Sequence, residues 1–293
     1  MGFYRSIPFI LLAIFTLSVT VQLSEVRAIT YTVNTLDDHD DDSCDINDCT
    51  LREAIETAQS NCWDEKDRIT FSVAGTIRLL SPLPDLTCPL VIDGGHNILV
   101  SGDSDYDGDA DVSYALRMLA YDGSDDPDEE LLNLKFEKFV NSALVISPSG
   151  QVLVEDIEVS SSGIGIAVYS NDIGTTRVTL DSLNVHDNSL QGIYVGPSSA
   201  IGSTDVRLKK SVIWGNGLQG IWIDATAGSG IRDVSIGDPN DPESGNYVYS
   251  NGAEGILLSG DVQGCSISYN RVGVDFSGNP APNGDGPGPN GDG

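Results

Sequence analysis

The sequence predicts an all-β solenoid: a stack of coils built from short strands, covered at its N-terminal end by one α-helix. Three observations carry that prediction. The first is a repeated phrase. Asn188-Ser-Leu-Gln-Gly192-Ile193-Tyr-Val returns as Asn216-Gly-Leu-Gln-Gly220-Ile221-Trp-Ile and again as Asn251-Gly-Ala-Glu-Gly255-Ile256-Leu-Leu. A shorter echo, Asn270-Arg-Val-Gly273-Val274, follows, and Gly165-Ile166-Ala-Val lies upstream. Self-similarity at such periods marks stacked repeats. The second observation is the uneven spacing. Gly192 to Gly220 is 28 residues, Gly220 to Gly255 is 35 and Gly255 to Gly273 is 18. Helical repeats must keep their helix lengths, whereas a coil of strands lets extra residues bulge from one turn. The third is strand chemistry: Val178-Thr-Leu180-Asp-Ser-Leu183-Asn-Val185 reappears as Val206-Arg-Leu208-Lys-Lys-Ser211-Val-Ile213. Alternating apolar and polar residues with many β-branched side chains are the signal of half-buried strands.

Each repeat Asn is followed within a few residues by Gly, a pattern expected at turns that need positive φ. Stacked at one corner, Asn188, Asn216, Asn251 and Asn270 are expected to hydrogen-bond along the coils as a structural ladder. With these features the chain resembles the right-handed parallel β-helix family, the pectin-lyase-like superfamily, over roughly residues 69–293. Residues 69–276 are read as the β-helix and 277–293 as a Gly/Pro/Asn/Asp-rich loop, with the reading frame expected to continue in a longer surface protein.

Residues 1–28 read as a secretory signal peptide: Arg5 is the positive n-region, Phe9–Val21 the apolar stretch and Val26-Arg-Ala28 the cleavage site. The apolar run falls short of the roughly 20 residues a spanning helix needs. The mature chain is expected to begin near Ile29 and to be extracellular, secreted or on the cell surface, without a membrane span. Without Arg5, Arg27 and Glu25, the 15 basic and 44 acidic residues become 13 and 43, a net of about −30. Such a surface repels nucleic acid, anionic lipid and equally polyuronate substrates, and suits divalent cations, basic partners or a saline habitat.

The five cysteines are expected to be oxidised where possible in an exported chain. The favoured bridges are Cys44–Cys49 and Cys62–Cys88, leaving Cys265 as a buried free thiol aligned with Leu183 and Ser211.

Residues 29–68 form the expected cap. Thr50 and Glu53 make a capping box at the start of a helix, and Leu51, Ala54, Ile55 and Ala58 give it one apolar stripe. Laid across the first coil, such a helix covers strand edges that would otherwise be open. The stretch Tyr31-Thr-Val-Asn-Thr-Leu-Asp-Asp…Cys44…Cys49-Thr-Leu-Arg-Glu-Ala-Ile closely resembles the CSLREA domain, with Thr50 in place of Ser. The resemblance continues through Ile69-Thr-Phe, Gly75-Thr-Ile, Leu83-Pro and Ile92-Asp-Gly. It implies a secreted or surface-exposed protein with a β-helix stalk, from a family mostly without an assigned activity.

The metal candidate is Asp103-Ser-Asp105-Tyr-Asp107-Gly108-Asp109-Ala-Asp111, which matches the first half of a Ca²⁺ loop. Tyr114 stands where that motif carries its bidentate Glu. The acidic run Asp37–Asp42 reads as a solvated loop. For catalysis, His186 and Asp187 form the most suggestive pair, with Arg207 and Lys209 one coil further on and Asp181 in the preceding strand. The superfamily resemblance implies either Ca²⁺-binding carboxylates with a basic residue, as in lyases, or several Asp with His, as in hydrolases. The motif sets of polygalacturonases are missing, as are serine-nucleophile, zinc and phosphate-loop signatures. The functional reading is therefore a stalk, adhesin or binding module with a surface glycan or protein partner. The alternative is a polysaccharide lyase, hydrolase or epimerase. The inserted loop Gly237–Gly245 is a further candidate contact site.

Overall fold

Alternation along each strand sends every second side chain inward, and parallel register places like residues above like. The computed structural model describes residues 28–60, 66–119, 128–147, 150–170, 175–197, 203–226 and 230–284. Among them the strands form three parallel sheets that wind as a right-handed β-helix. Sheet A runs from Thr30–Val33 through Gln151–Glu155, Thr175–Asp181 and Ser203–Lys209 to Ser266–Ile267. Sheet B contains Lys135–Glu137, Glu158–Ser160, Asn184–His186, Val212–Trp214 and Tyr247–Tyr249. Sheet C contains Ile164–Ser170, Ile193–Pro197, Ile221–Ala225 and Ile256–Gly260.

Register makes continuous apolar columns inside. Val154, Leu180, Leu208 and Ile236 stack in sheet A. Phe136, Val159, Val185, Ile213 and Val248 stack in sheet B. Leu144, Ile166, Ile193, Ile221 and Ile256 stack in sheet C. All but Ile256 are essentially inaccessible to water, and each contributes about 1.5–3 kcal/mol by burial. The repeat isoleucines are thus the sheet C column of the core.

Corners turn on left-handed residues. Asp156, Ser182 and Lys210 follow sheet A strands with φ of 56°, 57° and 54°, and Ser161, Asp187 and Gly215 follow sheet B strands with φ of 53°, 52° and 66°. The Gly of each repeat phrase plays another part. Gly192, Gly220 and Gly255 are not at positive φ; they let successive coils approach. A Cβ on Gly220 would lie 2.7 Å from Asn251 Nδ2, Gly255 O and Val248 Cγ1. Gly220→Ala is expected to destabilise by about 1–3 kcal/mol through overpacking; a urea midpoint equal to wild type would refute the close-approach role.

Beside these glycines runs a buried Asn ladder. Asn188 N and Nδ2 donate to Asn216 Oδ1 at 3.2 and 2.9 Å, and Asn216 N and Nδ2 donate to Asn251 Oδ1 at 3.2 and 2.8 Å. The rung after Asn251 is Asn283, at 3.1 and 2.9 Å, rather than Asn270. Asn270 stands instead at the corner between sheets A and B, where it accepts from Asn246 N and Nδ2 at 2.9 and 2.8 Å. That second ladder continues through Ser211, whose N–H donates to Asn246 Oδ1 at 2.9 Å. Gly and an apolar residue follow Asn270 as they follow the ladder asparagines, but its strand neighbours place it one corner earlier.

The cap is the helix Leu51–Gln59, which packs on Thr30–Val33 and Asp67–Phe71. Thr30–Val33 pairs in parallel with Asp67–Phe71, so sheet A starts inside the cap segment. Thr50 and Glu53 make a reciprocal capping box, and Cys44 is bridged to Cys49. Cys88 is also disulfide-bonded; its expected partner Cys62 lies outside the described residues. Cys265 is a free thiol, but it is half-buried and in register with Val234, not with Leu183 and Ser211. It still packs against the core, and burial pushes its pKa up.

Two charged residues of this helix are buried with the stripe. Glu53 accepts from Thr50 N at 2.8 Å and from Asp41 N at 3.0 Å. Burial pushes its carboxyl pKa up, but those hydrogen bonds outweigh it and hold the pKa below the usual range. A depressed acid stabilises the fold above its unfolded pKa and loses that contribution as pH falls through the folded one. The stability gap between wild type and Glu53→Gln is therefore expected to shrink as pH falls below about 5. Urea melts across that range measure it, and a gap that widens on acidification would contradict the assignment.

Candidate functional site

Outward positions of the same strands carry the candidate chemistry, and register decides which of them meet. His186 ends a sheet B strand, with Trp214 and then Tyr249 beside it in the next coils. Its ring stacks on Trp214 at 4.6 Å, and Trp214 on Tyr249 at 6.2 Å, with interplanar angles of 8° and 9°. Nδ1 of His186 lies 2.8 Å from Asp187 Oδ2, and Nε2 lies 3.6 Å from Glu158 Oε1. Stacked in this way, the rings cover one another's faces and act as an aromatic ladder on the outside of sheet B.

Arg207 and Lys209 sit on sheet A. Lys209 Nζ pairs with Asp181 Oδ2 at 2.9 Å, and Arg207 Nη2 with Asp205 Oδ2 at 3.3 Å. The four catalytic candidates thus divide into two pairs on two different sheets. Asp181 joins the sheet A pair. Sequence spacing alone did not separate them, because residues of neighbouring coils can face different sides.

Sheet A carries a wide recess among the described residues. A cavity of about 590 Å³ is lined by Thr179, Asp205, Arg207, Lys209, Asp233 and Ser235, with Asp238, Pro239 and Asn240 of the inserted loop as a wall. A second recess of about 280 Å³ continues it over Gln151 and Arg177, sharing Thr179, Asp205 and Arg207. Together they make a groove across the strands from Gln151 to Ser266, on the order of 19 Å at the usual strand spacing. Its floor alternates in charge: Arg177 lies opposite Asp205, and Asp181 opposite Lys209, in adjacent strands. The loop is held by a short 3₁₀ turn, Pro242–Ser244, and by Asp238 N donating to Ser244 Oγ at 2.6 Å. Sequence reading picked out the loop but not Arg177, Asp205 or Asp233, which fall into line only once coils of different length are stacked.

A third cluster, on sheet C, was not anticipated. Tyr194 Oη donates to Asp224 Oδ2 at 3.3 Å, Ser259 Oγ to Asp224 Oδ1 at 3.2 Å, and Trp222 Nε1 to Ser259 Oγ at 2.9 Å. Burial and then the Asp224 charge push the Tyr194 pKa up to about 12. This phenol stays protonated and serves as a donor.

The acidic loop draws only part of its aspartates together. One carboxylate oxygen each from Asp103, Asp105 and Asp111 lies within 4.8 Å of the others. Asp107 and Asp109 are outside that group; Asp107 Oδ1 instead accepts Asp109 N at 2.8 Å. A second trio, His39, Asp48 and Glu53, belongs to the cap, where His39 Nε2 meets Asp48 at 3.0 Å and Glu53 is taken up by the capping box. No helix among the described residues is long and apolar enough to cross a membrane.

Stacked parallel coils, inward apolar columns and corner Asn ladders define a β-helix, and residues 123–283 match the family model described as "Right handed beta helix region". The chain belongs to that family. Among solved structures it is similar to the A-module of mannuronan C-5 epimerase AlgE6 from Azotobacter vinelandii. There the identity is 13%, with 77% of this chain and 82% of that chain covered, at a TM-score of 0.37. It is also similar to the periplasmic alginate epimerase AlgG, at 10% identity, 82% coverage of each chain and a TM-score of 0.27. Likenesses at this level carry no argument about activity. No curated protein sequence matches the chain significantly.

Proposed function

We propose that the chain is an exported, cell-surface stalk and binding module of the CSLREA type. It offers the sheet A groove to a surface glycan or protein partner and performs no chemistry on it. The observation that carries this reading is the division of the candidate residues. Arg207 and Lys209 are paired with Asp205 and Asp181 on sheet A, while His186 and Asp187 lie on sheet B. Acid–base catalysis requires groups within hydrogen-bond reach of one reacting centre; His186 and Asp187 stand on another sheet, and the basic residues of the groove are held in pairs with Asp205 and Asp181, which favours contact over turnover. Within the groove Arg207 is an available handle: its side chain is 67% exposed and holds Asp205 only at 3.3 Å. Its planar guanidinium suits carboxylate or hydroxyl-rich ligands.

Export is supported by the leader-like sequence. Among the described residues Ile29 N donates to Asp67 Oδ1 at 2.7 Å and the strand Thr30–Val33 follows. Expression of the full chain in a secretion-competent host, followed by mass spectrometry of the exported protein, tests this. The expected product starts near Ile29 and is removed from intact cells by added protease. Retention in the cytoplasm with an uncleaved leader would overturn the reading.

A further inference from the structure

The loop between Ser101 and Tyr114 has a chemistry that neither the groove nor the ladders use. Asp103 is only 2% exposed. Its Oδ2 takes Lys138 Nζ at 2.8 Å and lies 3.3 Å from Arg78 Nη1. The other oxygen, Oδ1, is buried and accepts no hydrogen bond. The Gly108 N–H adds to the electrostatic stabilisation of this carboxylate without making a hydrogen bond of ordinary geometry. A buried acceptor left without a donor is costly, so this oxygen calls for a ligand. Asp103 also belongs to a carboxylate trio with Asp105 and Asp111, in which one oxygen from each lies within 4.8 Å of the others. Two oxygens on one Ca²⁺ are each about 2.3–2.6 Å from it, hence at most about 5 Å apart.

The surroundings fit the same ion. Five loop aspartates against Lys138 and Arg78 leave an excess of negative charge that a divalent cation would neutralise. Gly108 has φ of +99°, as a sharp turn between ligand positions requires. Tyr106 lies under the Arg78 guanidinium at 4.2 Å and ties the loop to sheet B. Ser104 N and Oγ donate to Asp111 Oδ2 at 2.8 and 2.7 Å, which holds that carboxylate against the loop's start.

We propose that Asp103, Asp105 and Asp111 bind one Ca²⁺, with the buried Oδ1 of Asp103 as inner ligand, and that the ion fixes the Ser101–Tyr114 loop to sheet B. Asp111 rather than residue 114 closes the site, while Asp107 and Asp109 shape the turn.

Calorimetry with CaCl₂ on the whole chain, at about 0.15 M salt to screen the diffuse acidic surface, tests this. A single-site isotherm is expected with Kd on the order of 10⁻⁵–10⁻³ M. Asp105→Asn and Asp111→Asn are each expected to weaken it by about tenfold or more, with Asp42→Asn, in the other acidic run, unchanged. Calcium should raise the melting temperature of wild type and leave the Asp105→Asn/Asp111→Asn chain unmoved. A flat wild-type isotherm, or binding that survives the double substitution, overturns the proposal. Terbium luminescence supplies a test that does not depend on the ligand variants folding. Emission sensitised through Tyr106 should fall strongly in Tyr106→Phe, and emission unchanged by that substitution would place the ion elsewhere and overturn the site.

Discussion

Asn216→Ala is expected to lower the free energy of unfolding by about 3–5 kcal/mol. Asn216 is buried in the middle of the ladder and is saturated with bonds. Its Oδ1 accepts from Asn188 N and Nδ2, and its Nδ2 reaches Asn251 Oδ1 at 2.8 Å, Trp214 O at 3.2 Å and Val185 O at 3.3 Å. Alanine would strand the Asn188 donors and two carbonyls inside the coil stack, where water cannot replace the lost partner. The terminal rung supplies the contrast. Asn283 is only partly buried, so Asn283→Ala is expected to cost about 1 kcal/mol. Urea unfolding of both variants at unchanged m-value measures the difference; equal losses would mean that the ladder is not a cooperative spine.

Arg52→Met is the second large effect, at about 3–5 kcal/mol. The guanidinium is buried under the cap and grips Asp38 with two bonds, Nε to Oδ1 at 3.1 Å and Nη2 to Oδ2 at 2.7 Å. It also donates to Pro82 O and Ser81 O, both at 2.9 Å, which ties the helix to the chain leaving the first coil. Asp38, with its side chain 1% exposed, accepts Leu80 N as well. Methionine keeps the apolar stem but leaves that carboxylate buried with one donor, which is the expensive way to break a buried pair. Removing both charges in Arg52→Met/Asp38→Leu should restore much of the loss. A thermal melt in which the single variant matches wild type would show that the cap is held by its apolar stripe alone.

These two positions also show where sequence reading stops. The coil stack was legible because inward Val, Leu and Ile recur at strand spacing, and the register fixes them as columns. The helix was legible from Thr50, Glu53 and the Leu51–Ala58 stripe. An apolar stripe cannot show that Arg52 and Glu53 are buried beside it, because their partners Asp38 and Asp41 come from an irregular segment. The repeat glycines were visible, but their reason was not: close approach between coils leaves no local signature that separates it from positive φ. Asn270 and Cys265 were displaced to the wrong positions because the last coils differ in length, so equal spacing no longer means equal corner. The groove was the least legible part. Arg177, Asp205, Asp233 and the loop at Asp238 come from successive coils, and outward residues follow no hydrophobic period.

The groove is also where the functional reading is exposed to the most direct test. Purified chain is incubated with a panel of neutral and uronate polysaccharides, and each sample is assayed for retention on the protein, new reducing ends, unsaturated products and epimer ratio. A groove that binds without turnover predicts retention of a partner that is lost in Arg207→Glu, with every polysaccharide recovered chemically unchanged. Chain scission, an unsaturated product or an altered epimer ratio that disappears in Asp205→Asn would contradict it and make the groove an active site.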